Sequence, residues 1–299
     1  MGTIPESLQL PDEALALYLQ KHIADFQGPL RSTKFKGGQS NPTYLLKATS
    51  GNYVLRRKPP GKLLASAHAV DREFRVLNAL YSSPVPVAKP YHLCTDDSII
   101  GSMFYVMEYI DSRIFWDPAL PDCTPVEREE IFQAIIKTMA AIHSVAIEST
   151  DLADYGKPGN YFARQISRWS EQYRASETQV IPAMDALITQ LPTRCPEDDG
   201  VVSLVHGDFR IDNLLFAKEA HNISAVVDWE LSTLGHPLAD LGYFCMALRL
   251  PRNPALPGLA GLNREELGIP SEQQILQRYA ELTGREIPKD WSFVVAFSF

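Results

Sequence analysis

The stretch His206-Gly-Asp208-Phe-Arg-Ile-Asp-Asn213 carries the pattern H-x-D-x-x-x-x-N, and Asp228 follows it at the end of an apolar run. This spacing is typical of phosphoryl-transfer centres, where one carboxylate receives the proton of the accepting hydroxyl and other oxygen atoms hold Mg²⁺. Asp208 suits the first task, and Asn213 and Asp228 suit the second. Because a carboxylate at the end of an apolar strand is costly to bury without a partner, Asp228 is a candidate functional residue.

Two short strands are predicted between Asn213 and Asp228. Residues 214–217 and 224–227 are typical of short strands, and residues 218–222 are polar enough to form a turn. Such a hairpin would bring the two candidate ligands of one metal ion close together.

Three polar residues near this motif are predicted to have structural roles. We expect His206 to be a packed, hydrogen-bonded scaffold residue, and Asp212 to serve turn formation. Asp240 lies in the first turn of a helix, where the helix N-terminus favours an acid. We interpret Asp240 as structural support for the loop that carries Asp208.

The composition is that of an ordinary globular protein, with 299 residues of which 45% are hydrophobic and 21% charged. The net charge of −8 argues against nucleic acid or an anionic membrane as the main partner. The N-terminus lacks the features of a signal peptide, and the sequence lacks an apolar run of the ~20 residues that a membrane span needs. Four scattered cysteines without a C-x-x-C pair favour reduced thiols and a cytoplasmic location.

Periodicity along the chain predicts an α+β fold with two lobes. Residues 1–107 are predicted to form a small lobe with an antiparallel sheet and one key helix, residues 108–112 a hinge, and residues 113–299 a larger, mainly helical lobe. The predicted helices lie at 12–26, 66–80, from a capping box at Thr124 onward, 160–175, 180–191, 237–249 and 271–283. The predicted strands of the first lobe lie at 30–36, 43–48, 52–57, 91–94 and 103–108.

A glycine-containing segment separates the first two strands and ends in Asn41. Gly37 and Gly38 would let the backbone approach phosphate groups, and Ser40 and Asn41 would add hydrogen-bond donors. The alternative interpretation is a plain hairpin turn.

Arg56 and Arg57 end one strand, and their side chains should point to opposite faces of the sheet. We predict that Arg56 contacts nucleotide phosphates and that Arg57 is solvated. The alternative is that both are ordinary solvated charges at the end of a strand. Glu73 lies inside the apolar stripe of the 66–80 helix, where a carboxylate needs a partner. An ion pair with Arg56 would satisfy both side chains, although Glu73 could instead lie at the edge of the stripe and reach water.

The apolar strand Phe104–Glu108 leads into the predicted hinge. Backbone groups of Glu108 and Ile110 could bond to an adenine edge there, because ligand clefts favour the junction between lobes.

With these residues assembled, the chain resembles the aminoglycoside phosphotransferase and choline kinase group of small-molecule kinases over nearly its full length. Within that group it is similar to the branch that occurs alone in bacteria or fused to acyl-CoA dehydrogenases in animals. The runs that carry the resemblance are Gly37-Gly-Gln-Ser-Asn-Pro-Thr-Tyr44, Tyr53-Val-Leu-Arg-Arg-Lys-Pro-Pro-Gly61, Asp71-Arg-Glu-Phe-Arg-Val76, Phe104-Tyr-Val-Met-Glu108, the His206–Asn213 motif and Asp228-Trp-Glu-Leu-Ser-Thr-Leu-Gly-His-Pro237.

The resemblance implies a protein-kinase-like fold that binds ATP and Mg²⁺, with Asp208, Asn213 and Asp228 in the roles given above. Two features depart from protein kinases. Arg56 stands where many kinases carry Lys, and a planar guanidinium binds phosphate differently from a point charge. The short interval between Asp228 and Asp240 lacks an A-P-E segment, which disfavours a protein substrate.

The resemblance to dehydrogenase-fused relatives implies a hydroxyacyl-CoA or hydroxy-acid substrate and a functional coupling to an acyl-CoA dehydrogenase. The alternatives are an aminoglycoside kinase and a nucleotide-binding regulatory module without turnover. A polycationic aminoglycoside would require a cluster of acids, yet the acids between residues 117 and 130 fit a solvated helix face. Tyr161, Arg164, Arg168 and Trp169 could meet an anionic, partly apolar ligand, or be surface arginines beside core aromatics.

The sequence stops in the apolar run Trp291–Phe299. We expect this run to be a helix that is interrupted by the end of the sequence, or else a tail docked in the core.

Overall fold

The computed structural model describes residues 9–35, 41–59, 69–253 and 257–299. They divide into two compact units, one comprising residues up to Asp111 together with Ser224–Glu230, and the other comprising Ser112–Ile223 and Leu231–Phe299. Gly37, Gly38 and Ser40, which we predicted to approach phosphate groups, lie outside the described residues. Within the described part of the chain, no helix combines the length and apolar character that crossing a membrane requires.

The first unit is an antiparallel sheet of five strands in the order β1-β2-β3-β5-β4 with two helices. Its elements are α1 (Asp12–His22), β1 (Leu30–Lys34), β2 (Thr43–Ala48), β3 (Gly51–Arg57), α2 (Val70–Leu80), β4 (Pro90–Cys94) and β5 (Phe104–Glu108). Leu15 and Leu19 of α1 are buried in one core with Leu46, Leu55 and Phe104 of the sheet. Alternation along β3 therefore directs Leu55 to the side of α1 and Arg56 to the other side, where α2 packs.

Two expectations for this unit are wrong. The first helix ends at His22 rather than at residue 26, because Ile23 is already extended, although Ile23 and Phe26 remain buried beneath the sheet. Arg57 is not solvated, since only 2% of its surface is exposed and its Nε donates to Ser102 Oγ at 2.8 Å. Strand alternation gives the face of a side chain, but it does not reveal that both faces of this sheet are covered.

The second unit is mainly helical. Its helices are α3 (Pro125–His143), α4 (Tyr161–Ser176), α5 (Pro182–Arg194), α6 (Leu238–Met246), α7 (Arg264–Leu267), α8 (Glu272–Thr283) and α9 (Trp291–Ser298), and its strands are β6 (Ser112–Arg113), β7 (Ser203–Val205), β8 (Leu214–Ala217) and β10 (Thr233–Gly235). The strand β9 (Ile223–Val226) begins in this unit and continues into the first. The capping box that we predicted is present at the start of α3, where the Thr124 hydroxyl accepts from Glu127 N and the Glu127 carboxylate accepts from Thr124 N.

Short strands and turns place the His206–Asn213 loop. β7 pairs with β10 in antiparallel register and leads into His206, and a 3₁₀ turn at Ile211–Asn213 leads into β8. β6 pairs with β8, and a hydrogen bond from Ala217 N to Asn222 O closes the turn before β9.

Candidate functional site

Arg56 is the centre of a buried polar cluster in the first unit. Its Nε lies 3.0 Å from Glu73 Oε2, and its Nη2 donates to Asp228 Oδ1 at 2.5 Å and lies 3.6 Å from Glu230 Oε2. The ion pair that we predicted between Arg56 and Glu73 is therefore present, and two further carboxylates share the same guanidinium.

Glu73 accepts three different donors although it is 1% exposed. Besides Arg56, Asn41 Nδ2 donates to its Oε1 at 2.8 Å and the hydroxyl of Tyr105 donates to its Oε2 at 3.1 Å. A carboxylate in the apolar stripe of α2 is tolerated because every side of it meets a hydrogen-bond donor.

The segment Ser224–Glu230 brings Asp228 and Glu230 to this cluster. Val226 N donates to Pro86 O at 2.9 Å, which anchors the end of β9 in the first unit. Asp228 has a φ of 68°, a left-handed conformation that is uncommon outside glycine and that concentrates at functional sites.

The electrostatics of the cluster leave it with more negative than positive charge. The pKa of Glu73 is raised to about 7, chiefly by burial and further by the carboxylates of Asp228 and Glu230, while Arg56 and the hydrogen bond from Tyr105 oppose the rise. Burial alone would lower the pKa of Arg56, but Glu73, Asp228 and Glu230 raise it above its ordinary value. Three carboxylates facing one guanidinium form an environment that a further cation would stabilise.

Asn41 is fully buried in the same cluster. Its Nδ2 also lies 3.3 Å from Glu230 Oε2, while its Oδ1 has no hydrogen-bond partner among the described residues. The Nδ2 group of Asn41, which we predicted to donate to phosphate groups, thus donates to two carboxylates here. Its contact with phosphate stays a prediction.

In the second unit, Asp240 of α6 supports the loop that carries Asp208 through hydrogen bonds to its backbone. The carboxylate of Asp240 is 1% exposed and accepts from His206 N at 2.7 Å, from Gly207 N at 2.8 Å and from His143 Nε2 at 3.0 Å. Burial by itself would raise the pKa of Asp240, but the bonds from His143 and His206 lower it below its ordinary value. The supporting role that we predicted for Asp240 is confirmed.

His206 is a scaffold residue, as its position before the glycine predicts. Its ring is fully buried, and its Nδ1 accepts a hydrogen bond from Asp208 N at 3.2 Å. Gly207 has a φ of 83°, and a Cβ there would lie 2.7 Å from Leu231 O. Only glycine fits this point of the loop. Asp212 forms a bidentate pair with Arg210.

Two side chains fix the carboxylate of Asp208. Asn213 Nδ2 donates to Asp208 Oδ2 at 3.0 Å and to Asp208 O at 2.9 Å, and the hydroxyl of Tyr243 donates to Asp208 Oδ1 at 2.7 Å. Both carboxylate oxygens therefore have a defined orientation before any substrate binds.

An apolar cavity of about 500 Å³ adjoins this loop. Gly207, Asp240 and Tyr243 form one part of its wall, and helices α4, α5 and α9 form the rest. Its apolar lining includes Ile166, Trp169, Leu187, Leu191 and Phe297.

Of the four residues that we considered for ligand contact in α4, the two aromatic ones, Tyr161 and Trp169, line the apolar cavity. Arg164 donates to Lys157 O and Pro158 O instead, and Arg168 lies over the Trp169 ring. Anion recognition by these arginines therefore has no support from their contacts.

Sequence reasoning missed Glu230 and Tyr243. Glu230 follows Asp228 by two residues, and this second acid was a signal that could have been used. Tyr243 lies three residues after Asp240 on the apolar helix α6, where an aromatic side chain is usually a core residue.

Comparison with known proteins identifies the family of this chain. Residues 32–274 match the family model described as the phosphotransferase enzyme family. The chain belongs to this family. As a member of the phosphotransferase family it has a protein-kinase-like α+β fold, as the sequence predicted.

Relatives of this phosphotransferase include parts of larger proteins. It is 44% identical over 298 residues to acyl-CoA dehydrogenase family member 10 of Mus musculus, covering 99% of this chain and 28% of that protein. It is 41% identical over 292 residues to acyl-CoA dehydrogenase family member 11 of Homo sapiens, covering 96% of this chain and 37% of that protein. The chain thus spans about a third of the length of these curated relatives, and the resemblance to dehydrogenase-fused kinases is confirmed.

Solved structures show the same fold. A candidate aminoglycoside phosphotransferase from Ralstonia eutropha is 46% identical with a TM-score of 0.88, covering 97% of this chain and 85% of that one. An aminoglycoside phosphotransferase solved as a ternary complex with streptomycin and ATP has a TM-score of 0.62 at 13% identity, covering 97% of this chain and 86% of that one. At that identity the likeness concerns the fold alone.

Proposed function

We propose that this phosphotransferase transfers the γ-phosphoryl group of ATP to the hydroxyl group of an acyl-type small molecule, either a hydroxyacyl-CoA or a free hydroxy acid. The observation that carries the proposal is the apolar cavity of about 500 Å³ whose wall includes Gly207 and Tyr243, the neighbours of Asp208. A cavity with this lining suits a hydrocarbon chain and leaves the polar end of the ligand at the loop.

Asp208 acts as the base in this proposal. The acceptor oxygen forms a bond to the γ-phosphorus, the bond from the γ-phosphorus to the bridging oxygen of ADP breaks, and the hydroxyl proton moves to the Asp208 carboxylate. Asn213 and Tyr243 orient that carboxylate through the hydrogen bonds to its two oxygens. Because little covalent chemistry is required of the protein, fixing the base in advance is a large part of the catalysis.

Asn213 and Asp228 are the proposed ligands of Mg²⁺. Since Asn213 Nδ2 is bonded to Asp208, its Oδ1 is the atom available to face a cation. Asp228 belongs to a cluster with an excess of carboxylates, whose charge fits a divalent cation. When bound, Mg²⁺ would neutralise charge on the phosphate oxygens.

For ATP, we propose that Arg56 contacts the phosphates in an orientation fixed by Glu73, and that residues 37–41 approach the same groups. Glu108 and Ile110 are proposed to contact the adenine edge through their backbones. The N–H of Glu108 already donates to Lys89 O at 2.9 Å, so its carbonyl is the group that we assign to adenine.

The lining of the apolar cavity favours an acyl substrate over an aminoglycoside. Among the described residues that line it, the one carboxylate is Asp240, which already accepts from two backbone N–H groups and from His143. A polycation would find no carboxylate there to pair with. We propose a functional coupling to an acyl-CoA dehydrogenase, which the similarity to acyl-CoA dehydrogenase family members 10 and 11 supports. We also propose a cytoplasmic location, which the four scattered cysteines favour.

The test is ATP turnover with Mg²⁺ on hydroxyacyl-CoAs that carry the hydroxyl at different positions, on free hydroxy acids and on aminoglycosides. We expect transfer to the acyl-type acceptors, and Asp208→Asn should retain ATP binding but lose turnover by about 10²-fold or more. Asp199→Asn, an exposed carboxylate outside the loop, is the matched control. Turnover on aminoglycosides alone would overturn the acyl assignment, and bound ATP without any transfer would favour a regulatory module.

A further inference from the structure

Tyr243 contacts the proposed base Asp208 and also lines the apolar cavity. Its hydroxyl donates to Asp208 Oδ1 at 2.7 Å, and the residue is also part of the cavity wall. The pKa of Tyr243 is raised by burial and by the negative charge of Asp208, so its hydroxyl stays protonated and acts as a donor at neutral pH.

The position of Tyr243 on α6 makes this contact stiff. Asp240 lies three residues earlier on the same helix and holds the backbone of His206 and Gly207. Residues three apart project from the same side of a helix. One helix face therefore fixes both the backbone of the loop and the carboxylate that the loop carries.

A ligand chain in the cavity would press against the ring of the residue that orients Asp208. We propose that Tyr243 is a positioning and specificity-determining residue, which couples the filling of the apolar cavity by the acceptor's chain to the orientation of the Asp208 carboxylate. This inference rests on the proposed function. It predicts that the length of the acceptor's chain affects the rate of transfer as well as the affinity.

Tyr81 supplies a matched control for the hydroxyl group. It follows the last residue of α2, is 48% exposed and does not line the cavity. Tyr81→Phe and Tyr243→Phe remove the same atom, but only the second change removes a bond to Asp208.

The experiment compares wild type, Tyr243→Phe and Tyr81→Phe on a series of hydroxyacyl acceptors of increasing chain length, with KM, kcat and uncoupled ATP hydrolysis measured for each. In Tyr243→Phe we expect kcat to fall about 10- to 100-fold, because a misplaced base costs that much. KM should still decrease with chain length, by up to about fourfold per methylene buried, whereas kcat should no longer depend on chain length. Uncoupled hydrolysis should rise relative to transfer, and Tyr81→Phe should behave like wild type.

The outcomes separate this inference from the proposed function. Failure of the wild type to phosphorylate any hydroxyacyl acceptor overturns the proposed function and this inference together. If the wild type transfers phosphate and the kcat of Tyr243→Phe is within twofold of the wild-type value, or if Tyr81→Phe loses as much kcat as Tyr243→Phe, this inference alone is overturned. Thermal unfolding and ATP affinity of both variants, expected to match wild type, show whether a loss of kcat comes from a folding defect. If Tyr243→Phe unfolds at a lower temperature than wild type, the inference is tested by the wild type alone. In that case, a wild-type kcat that does not depend on the length of the acceptor's chain overturns the inference.

Discussion

Replacing Asp240 by Asn tests how the loop that carries the base is supported. In the wild type, one carboxylate oxygen accepts from Gly207 N and the other accepts from His206 N and His143 Nε2. The amide of Asn has a single oxygen, so in either orientation its NH₂ group must face at least one backbone N–H. The substitution therefore leaves a buried donor without an acceptor and weakens the bonds that remain.

The size of the effect follows from these contacts. A hydrogen bond to a charged group contributes about 1.5–3 kcal/mol, and removing one partner of a buried charged pair costs about 3–5 kcal/mol. Because Asn keeps one acceptor, we expect Asp240→Asn to lower the free energy of unfolding by about 3–4 kcal/mol at pH 7.

The pH dependence of the free energy of unfolding gives a second check that the charged form of Asp240 stabilises the fold. The pKa of Asp240 is lowered in the folded protein from an ordinary value of 3.8. Its contribution to stability is therefore present above pH 3.8 and is lost as the pH falls through the folded pKa. The difference between wild type and Asp240→Asn should narrow in this acidic range.

Equilibrium unfolding in urea, followed by tryptophan fluorescence at several pH values, measures both quantities. Asp290→Asn serves as the control, because the carboxylate of Asp290 is exposed and accepts from the hydroxyl of the nearby Ser292. A loss below about 1 kcal/mol at pH 7 would refute the reasoning, as would a difference between the variants that stays constant down to the acidic range.

Two further predictions concern charge and backbone geometry. In ¹³C NMR the carboxyl of Glu73 should titrate at about pH 7. Asp228→Asn should lower the pKa of Glu73, because the substitution removes a neighbouring negative charge. An unchanged or higher pKa of Glu73 in this variant would contradict the charge coupling between the two residues. Gly207→Ala should destabilise the protein by about 3 kcal/mol or more, because the new Cβ meets a backbone oxygen as well as a positive φ. Gly284→Ala, with a positive φ but open space around its Cβ, should cost only about 1 kcal/mol in the same unfolding assay; equal losses would show that the close contact is unimportant.

Local patterns predicted those parts of the site whose cause is local. The position of Glu73 in an apolar stripe identified a carboxylate that needs a partner, and strand alternation directed Arg56 towards it. The position of Asp240 in the first turn of its helix indicated a structural role. The hydrogen bonds that its carboxylate accepts from the backbone of His206 and Gly207 confirm that role.

The remaining features depend on contacts between distant segments. Arg57 is buried although it ends a strand, and Ser102, 45 residues away, accepts its hydrogen bond. Tyr243 is indistinguishable in sequence from a core aromatic, since its hydrogen-bond partner Asp208 lies 35 residues away. Periodicity gives the direction of a side chain relative to its own element, whereas its partner is set by tertiary packing.

The grouping of Ser224–Glu230 with the first unit has a consequence for dissection of the protein. Asp228 and Glu230, which pair with Arg56, are separated in sequence from the rest of their unit by more than a hundred residues. A fragment that stops at Asp111 would keep Arg56 and Glu73 but lose these two acids. A single cut in the gene therefore cannot isolate this unit intact, whereas a fragment in which the 224–230 segment is spliced on through a short linker would restore its charge pairing.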